Sequence, residues 1–388
     1  MDDKQIKLEE GIGLEEWLES HDNRLFPSYS EEKGQRPYAK RYEELKNAMK
    51  PIHDNVQIGA MAESIKQWQE DILSRIDMAQ CDDERMALKK ILENDPAVYL
   101  NNHGRGHVCK VIERVSEILH HFDTGHLTPY EGFFLLCAIQ IHDVGNVFGR
   151  AGHERQCKHI LETEGKPFIP DSFERNAIEK IALVHGGAYN GDCDTIRHLA
   201  SARPLNGRPV RKRLLAGLLR FGDEMADDCT RCDSKGLEMG TILEGSRIYH
   251  QYSEALHTVK IERNSENQRL ELILSYELYS DVIRALFKKG SDEKYLLDEI
   301  YDRTLKMERE RRYCMRYLRP YFSLDAIRVE IIIQNKELLN LKKRICYTLE
   351  EDGYPDSPKP GSIKAFGAEI PTGAEGYSCL QREWGITS

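Results

Sequence analysis

The feature that most constrains this sequence is the apolar run 133–139 (FFLLCAI), which leads through Gln140 and Ile141 into the adjacent pair His142-Asp143. The run is far shorter than the roughly 20 residues that a helix needs to cross a bilayer. A helix apolar on nearly all sides must instead be wrapped by protein, so residues 130–143 are expected to form a central core helix that stops at Gly145. Its end carries an imidazole and a carboxylate into surroundings that penalise both, a cost that a bound metal ion offsets.

Ligand-type residues stand at the ends of other expected core helices. Val108, Val111, Ile112, Val115, Ile118 and Leu119 recur at helical spacing, which predicts an amphipathic helix over 106–121 with His107 in its first turn. Leu214, Leu215, Leu218 and Leu219 lead to Asp223 within a helix expected over 210–227. Helices are also expected over 153–164, opened by His153, and over 172–185, closed by His185, with Thr128-Pro129, Pro170, Gly186-Gly187 and Pro209 as punctuation. Five helices without a strand signal predict an all-α core. A satisfied core histidine or a capping aspartate would explain any one of these positions, but that reading must recur independently on three helices.

Imidazole and carboxylate together suit a divalent transition metal such as Mn, Fe, Co, Ni or Zn, and suit Mg, which prefers oxygen, less readily. His107, His142, Asp143, His153, His185 and Asp223 could hold one or two ions, with Asp143 as the bridge. Two such ions can activate a water and neutralise a phosphate. His103 competes with His107 as first ligand, four residues away, and is otherwise a candidate proton donor to a leaving group.

Between Thr195 and Gly222 lie Arg197, Arg203, Arg208, Arg211, Lys212, Arg213 and Arg220 with no acidic residue among them. Guanidinium groups match phosphate oxygens in paired contacts, so Arg211 and Arg220 are candidate substrate-binding residues, against the alternative of a solvated helix face. Arg150, between His142-Asp143 and His153, is the preferred single phosphate contact and a candidate catalytic group beside Asp143.

The 388 residues suffice for two or three domains. With 65 acidic against 55 basic residues, the chain is not one that coats nucleic acid or membrane with its whole surface. Ten cysteines without a repeating spacing, and a start (MDDKQIKLEEGIGLEEW) without a secretory pattern, lead us to expect reduced thiols and a cytoplasmic location. Cys229 and Cys232 form a lone CxxC, to which no role is assigned, and neither GxxxxGK[ST] nor GxSxG occurs.

We expect a mainly α fold in four parts. Residues 1–95 form an N-terminal helical extension, with helices over 38–49 and 61–78 on either side of a break near Pro51, read as a packing or dimerisation element. Residues 96–238 form the helical core. Residues 239–351 form an α+β domain with hairpin strands over 257–264 and 269–276, a helix over 295–317 carrying pairs such as Glu299 with Arg303, and a strand at Ala326–Gln334. Residues 352–388, rich in Gly, Pro and Ser, read as an extended or disordered tail.

In chain order, His107, His142-Asp143, His153, His185 and Asp223 give the pattern H…HD…H…H…D, which resembles the HD superfamily of metal-dependent phosphohydrolases. The surrounding text fits: HVCKVIERV, IHDVGN, GHERQCKHIL, IALVHGG and LLRFGDEMADD, over about residues 100–231. The version with the extra histidines is similar to HD-GYP cyclic dinucleotide phosphodiesterases and to the HD nuclease of type I CRISPR systems. NNHGRGH and YLLDEIYDRTLKMERERRYCMRYLRP look like HD domains of bacterial conflict loci, which implies bacterial defence. No GYP triplet stands in the helical core after the fifth expected helix, which counts against cyclic di-GMP, and Val184-His185 stands where binuclear relatives often have two histidines. Relatives with one metal need only the positions of His107, His142, Asp143 and Asp223.

The resemblance implies hydrolysis of a phosphoester or phosphoanhydride of a nucleotide. The alternatives are a metal-dependent nuclease on single-stranded DNA or RNA, and a non-catalytic nucleotide-sensing module. The expected partners are a nucleotide or short nucleic acid, no membrane, and a further copy or protein partner at the N- or C-terminal region.

Overall fold

Thr128 and Glu131 set the start of the helix at the centre of the fold. Thr128 Oγ1 accepts from the Glu131 N–H at 3.2 Å and Glu131 Oε2 accepts from the Thr128 N–H at 3.2 Å, with Pro129 in the first turn. This reciprocal capping, with a proline whose φ is already helical, fixes where the chain turns inward. The computed structural model describes residues 4–25, 36–78, 85–86, 104–148, 153–186, 188, 191–201, 203–240, 242, 244–289, 292–336, 342–353, 359, 363, 378 and 380–382.

The chain runs through α1 (Leu14–Leu25), α2 (Tyr38–Met78), α3 (Arg105–His120), the central α4 (Pro129–Ile141), α5 (His153–Ile160) and α6 (Ser172–Leu183). A hairpin, β1 (Arg203–Leu205) and β2 (Arg208–Val210), precedes α7 (Lys212–Glu224). Every residue of α4 is buried, against α1, α2, α3, α6 and α7. Asp171 caps α6, accepting from the N–H groups of Phe173 and Glu174 at 2.7 and 3.1 Å.

Two expectations for this half are corrected. Residues 38–78 form one helix that passes through Pro51, because the face carrying Tyr42, Leu45, Met49, His53 and Val56 is buried and its packing outweighs the backbone bond that proline forfeits. The core is also not purely helical. Asn206 and Gly207 both take positive φ, 49° and 76°, the geometry of a two-residue hairpin turn, and Arg203 pairs with Val210.

After α8 (Ser234–Met239) and α9 (Glu244–Ala255) comes a four-stranded sheet in the order β3 (Leu256–Arg263), β4 (Leu270–Tyr279), β7 (Ala326–Gln334), β8 (Lys342–Glu350). Strands β4 and β7 are parallel, and their connection contains a small hairpin, β5 (Leu286–Lys289) with β6 (Asp292–Tyr295), and the long α10 (Leu296–Leu318), as a parallel crossover requires. The expected hairpin, the expected helix and its Glu299–Arg303 pair at 2.9 Å are all present. One side of α10 packs on α7, while Thr304 and Tyr301 contact Tyr347 of β8. A continuous hydrophobic cluster therefore extends from the helical part into the sheet.

Most of 352–388 lies outside the described residues. Ile363 and Leu380 are buried in the same cluster, so at those points the segment is packed rather than free. No helix among the described residues is long and apolar enough to cross a membrane.

Candidate metal centre

Three helix ends converge on Asp143. His107 stands in the first turn of α3, His142 caps α4, and His185 follows the end of α6. Asp143 Oδ2 lies 3.7 Å from His107 Nε2 and 3.6 Å from His142 Nε2, while Oδ1 lies 3.7 Å from His185 Nε2. From the last turn of α7, Asp223 Oδ1 reaches to 3.0 Å from His107 Nε2 and 3.7 Å from His142 Nε2. The imidazoles are buried and the carboxylates partly exposed, so nitrogens form the floor and oxygens the mouth.

Local bonds decide which nitrogens face the centre. His142 Nδ1 donates to the Ile139 carbonyl at 2.8 Å and His185 Nδ1 to the Ala182 carbonyl at 2.5 Å. Each ring thereby presents Nε2 inward, as outer-shell partners do for metal-ligating histidines. His142 Nε2 is buried and makes no hydrogen bond. Among the described residues, the donor atoms of His107, His142 and Asp143 all lie within 4.8 Å of one another. A shell of ligand bonds near 2.1 Å spaces its donor atoms about 3–4 Å apart, so the cradle fits a divalent ion.

The charges agree with that fit. Burial opposes a proton on His142, but Asp143 and Asp223 outweigh it and push its pKa up to about 9. Burial also disfavours charge on Asp223, yet His107 and His142 hold its carboxyl well below the usual range. His185 is pushed down by burial and by His142. The protein thus brings a concentrated negative charge to a buried nitrogen pair.

Close approach of α3 and α7 depends on Gly222. A Cβ there would lie 2.4 Å from Val115 Cγ2, so a side chain would drive Asp223 away from His107.

Not every predicted site residue joins the cluster. His103 and Arg150 lie outside the described residues; His153 opens α5, but its side chain lies outside the described part. Arg211 and Arg220, expected to bind substrate, direct their donors to partners within the protein. Arg211 Nε and Nη2 meet the Glu131 carboxylate at 2.9 and 2.6 Å, and its Nη groups donate to the carbonyls of Gly125 and His126 at 2.6 and 2.7 Å. Arg220 meets Glu310 through two bonds of 2.7 and 2.8 Å and Thr195 Oγ1 at 3.0 Å. Arg213 donates to the carbonyls of Leu199 and Arg197, and Arg208 lies over the rings of Tyr38 and Tyr130. The guanidinium nitrogens of Arg211 and Arg220 are thus all engaged within the framework.

His53 of α2 was missed. It is buried beside the centre, with Nε2 3.3 Å from Gln140 Oε1, and feels the charges of His142 and Asp143. The available signal was its place on the apolar face of α2, one turn after Met49.

A family model described as HD-CE matches residues 80–305. No curated protein matches the chain.

Proposed function

The chain belongs to the HD-CE family, and from that premise we propose that it is a metal-dependent phosphohydrolase cleaving a phosphoester or phosphoanhydride bond of a nucleotide. The observation that carries this reading is the convergence of His107, His142 and Asp143 donor atoms within 4.8 Å, with Asp223 beside them.

His107, His142, Asp143 and Asp223 would hold a first ion, of Mn, Fe, Co, Ni or Zn by the mixed donor set. His185 and His153 would complete a second position, and the two oxygens of Asp143 face different imidazoles. A divalent ion held there would supply Lewis acidity toward a phosphate oxygen and a water nucleophile near neutral pH. Asp143, partly open to the mouth, orients the attacking water and accepts its hydrogen bond. The buried histidine floor fixes the carboxylates, so little reorganisation accompanies the reaction. His103 as proton donor and Arg150 as phosphate contact complete the proposed set.

A small nucleotide is favoured over a nucleic-acid strand. A strand calls for a continuous basic groove, whereas Arg208, Arg211, Arg213 and Arg220 are taken up by internal acceptors or ring contacts. The test combines elemental analysis of the purified protein with a hydrolysis screen over nucleoside triphosphates, cyclic nucleotides and single-stranded oligonucleotides. Bound transition metal, and activity abolished in Asp143→Ala, are expected; undiminished activity in that variant refutes the reading.

A further inference from the structure

Helix α2 lies outside residues 80–305, yet two consecutive residues of it touch both segments that bear the first ligands. His53 Nε2 donates to Gln140 Oε1 at 3.3 Å, two residues before His142. Asp54 Oδ1 accepts from Arg105 Nε at 2.8 Å, two residues before His107. Neighbours on a helix diverge by about 100°, which lets adjacent side chains reach separate segments.

Gln140 is also gripped from its other end. Its Nε2 donates to Tyr42 Oη at 2.9 Å, Tyr42 donates to Glu15, and Lys46 Nζ holds the same carboxylate at 2.9 Å. Tyr42 and His53 both belong to α2, about three turns apart on one face. All donors and acceptors of the Gln140 amide side chain that these contacts use run in one direction, from His53 to Glu15, so the amide cannot rotate without breaking two bonds. The residue before it is Ile139, whose carbonyl orients the His142 ring.

We propose that α2 is part of the metal centre, with His53 as a positioning residue that fixes His142 through Gln140 and the last turn of α4, and with Asp54 tying α3 to the same helix. The proposal rests on the metal-centre reading above. Partners one shell outside the ligands commonly set metal affinity by about 10- to 100-fold, and here the helix end that carries such a partner, the Ile139 carbonyl, is held by the N-terminal extension. Displacing α2 would therefore loosen metal binding without touching a ligand.

The test is titration of the full chain with Mn2+ alone, read by electron paramagnetic resonance of free and bound ion. His53→Leu removes the donor, whereas His53→Gln keeps an N–H near the position of Nε2. The expected result is an affinity weakened about 10- to 100-fold with an altered bound-ion spectrum in His53→Leu, and near-native affinity and spectrum in His53→Gln. If His53→Leu does not fold, Asp54→Ala replaces it, with an expected loss of about threefold because the pair is exposed. Wild-type protein that binds Mn2+, with a folded variant that matches its affinity and spectrum, overturns this proposal alone. Wild-type protein that binds no divalent ion overturns the metal centre itself and this proposal with it.

Discussion

His107 Nε2 and Asp223 Oδ1 meet at 3.0 Å because Gly222 lets α3 and α7 approach at backbone distance, with Val115 Cγ2 only 2.4 Å from where a Cβ would stand. Gly222→Ala should therefore act on the centre through packing. Overpacking costs about 1–3 kcal/mol, offset by up to about 1 kcal/mol of improved helix propensity. We expect a small net loss in urea unfolding together with weaker Mn2+ binding. Adding Val115→Ala should recover much of the affinity by making room. Unchanged metal affinity in a folded Gly222→Ala protein would show that the helix spacing is not what places Asp223.

Two ion pairs join α7 to α10, Arg220–Glu310 and Glu224–Lys306, and Asp227–Arg303 joins the segment just after α7 to the same helix. Arg220–Glu310 is the most enclosed of them, and truncating one partner of such a pair leaves the other desolvated and uncompensated. Arg220→Ala should destabilise by about 2–4 kcal/mol in chemical denaturation, at the lower end of buried pairs because some exposure remains. Its KM for a nucleotide substrate should stay close to wild type at temperatures where it is folded. A specific rise in KM with unchanged stability would restore Arg220 to phosphate binding.

How far these features were legible follows from what a linear sequence records. The central helix was readable because residues 133–139 are apolar all round and Thr128-Pro129 marks the start. His107, His142, Asp143, His185 and Asp223 were readable because each stands at or near one end of an expected core helix. The partners of the basic island were not legible, for the complementary reason. Charge can be counted along the chain, but Glu131 and Glu310, which consume Arg211 and Arg220, lie 80 and 90 residues away. The β1–β2 hairpin carried its own Asn206-Gly207 signal, obscured by Pro209, which reads as punctuation between helices. His53 was hidden because a single imidazole on an amphipathic helix is indistinguishable from a packed core residue until Gln140 is seen beside it.

His53 also predicts an acid-sensitive step in the metal-free protein. Burial, partly opposed by the bond to Gln140, pulls its pKa down to about 4 from an ordinary value near 6.5. The unfolded chain therefore binds the proton more readily than the folded one. Its contribution is fully present above pH 6.5 and is lost as pH falls from there through about 4, an effect on the order of 3 kcal/mol. Urea midpoints for wild type and His53→Gln across pH 4 to 7 should converge toward the acid end. Parallel curves over that window would show that His53 is not buried as a neutral imidazole.

His142 predicts the opposite behaviour, and ties it to metal uptake. Burial disfavours its charge, but Asp143 and Asp223 raise its pKa to about 9, so the metal-free folded protein carries an imidazolium there at neutral pH. Because the folded value lies above the unfolded one, this stabilisation is complete below pH 6.5 and disappears as pH rises through about 9. A ligating imidazole must be neutral, so a divalent ion can enter only by displacing that proton. His185, pushed down by burial, is already neutral and contributes no such proton. Binding of Mn2+ should thus release close to one proton per ion at pH 7, and its affinity should rise about tenfold per pH unit until about pH 9. Calorimetric titration in buffers of different ionisation enthalpy measures the proton count directly. Binding of Mn2+ at pH 7 without proton release would mean that the two carboxylates do not hold His142 protonated, and the electrostatic account of the centre would fail.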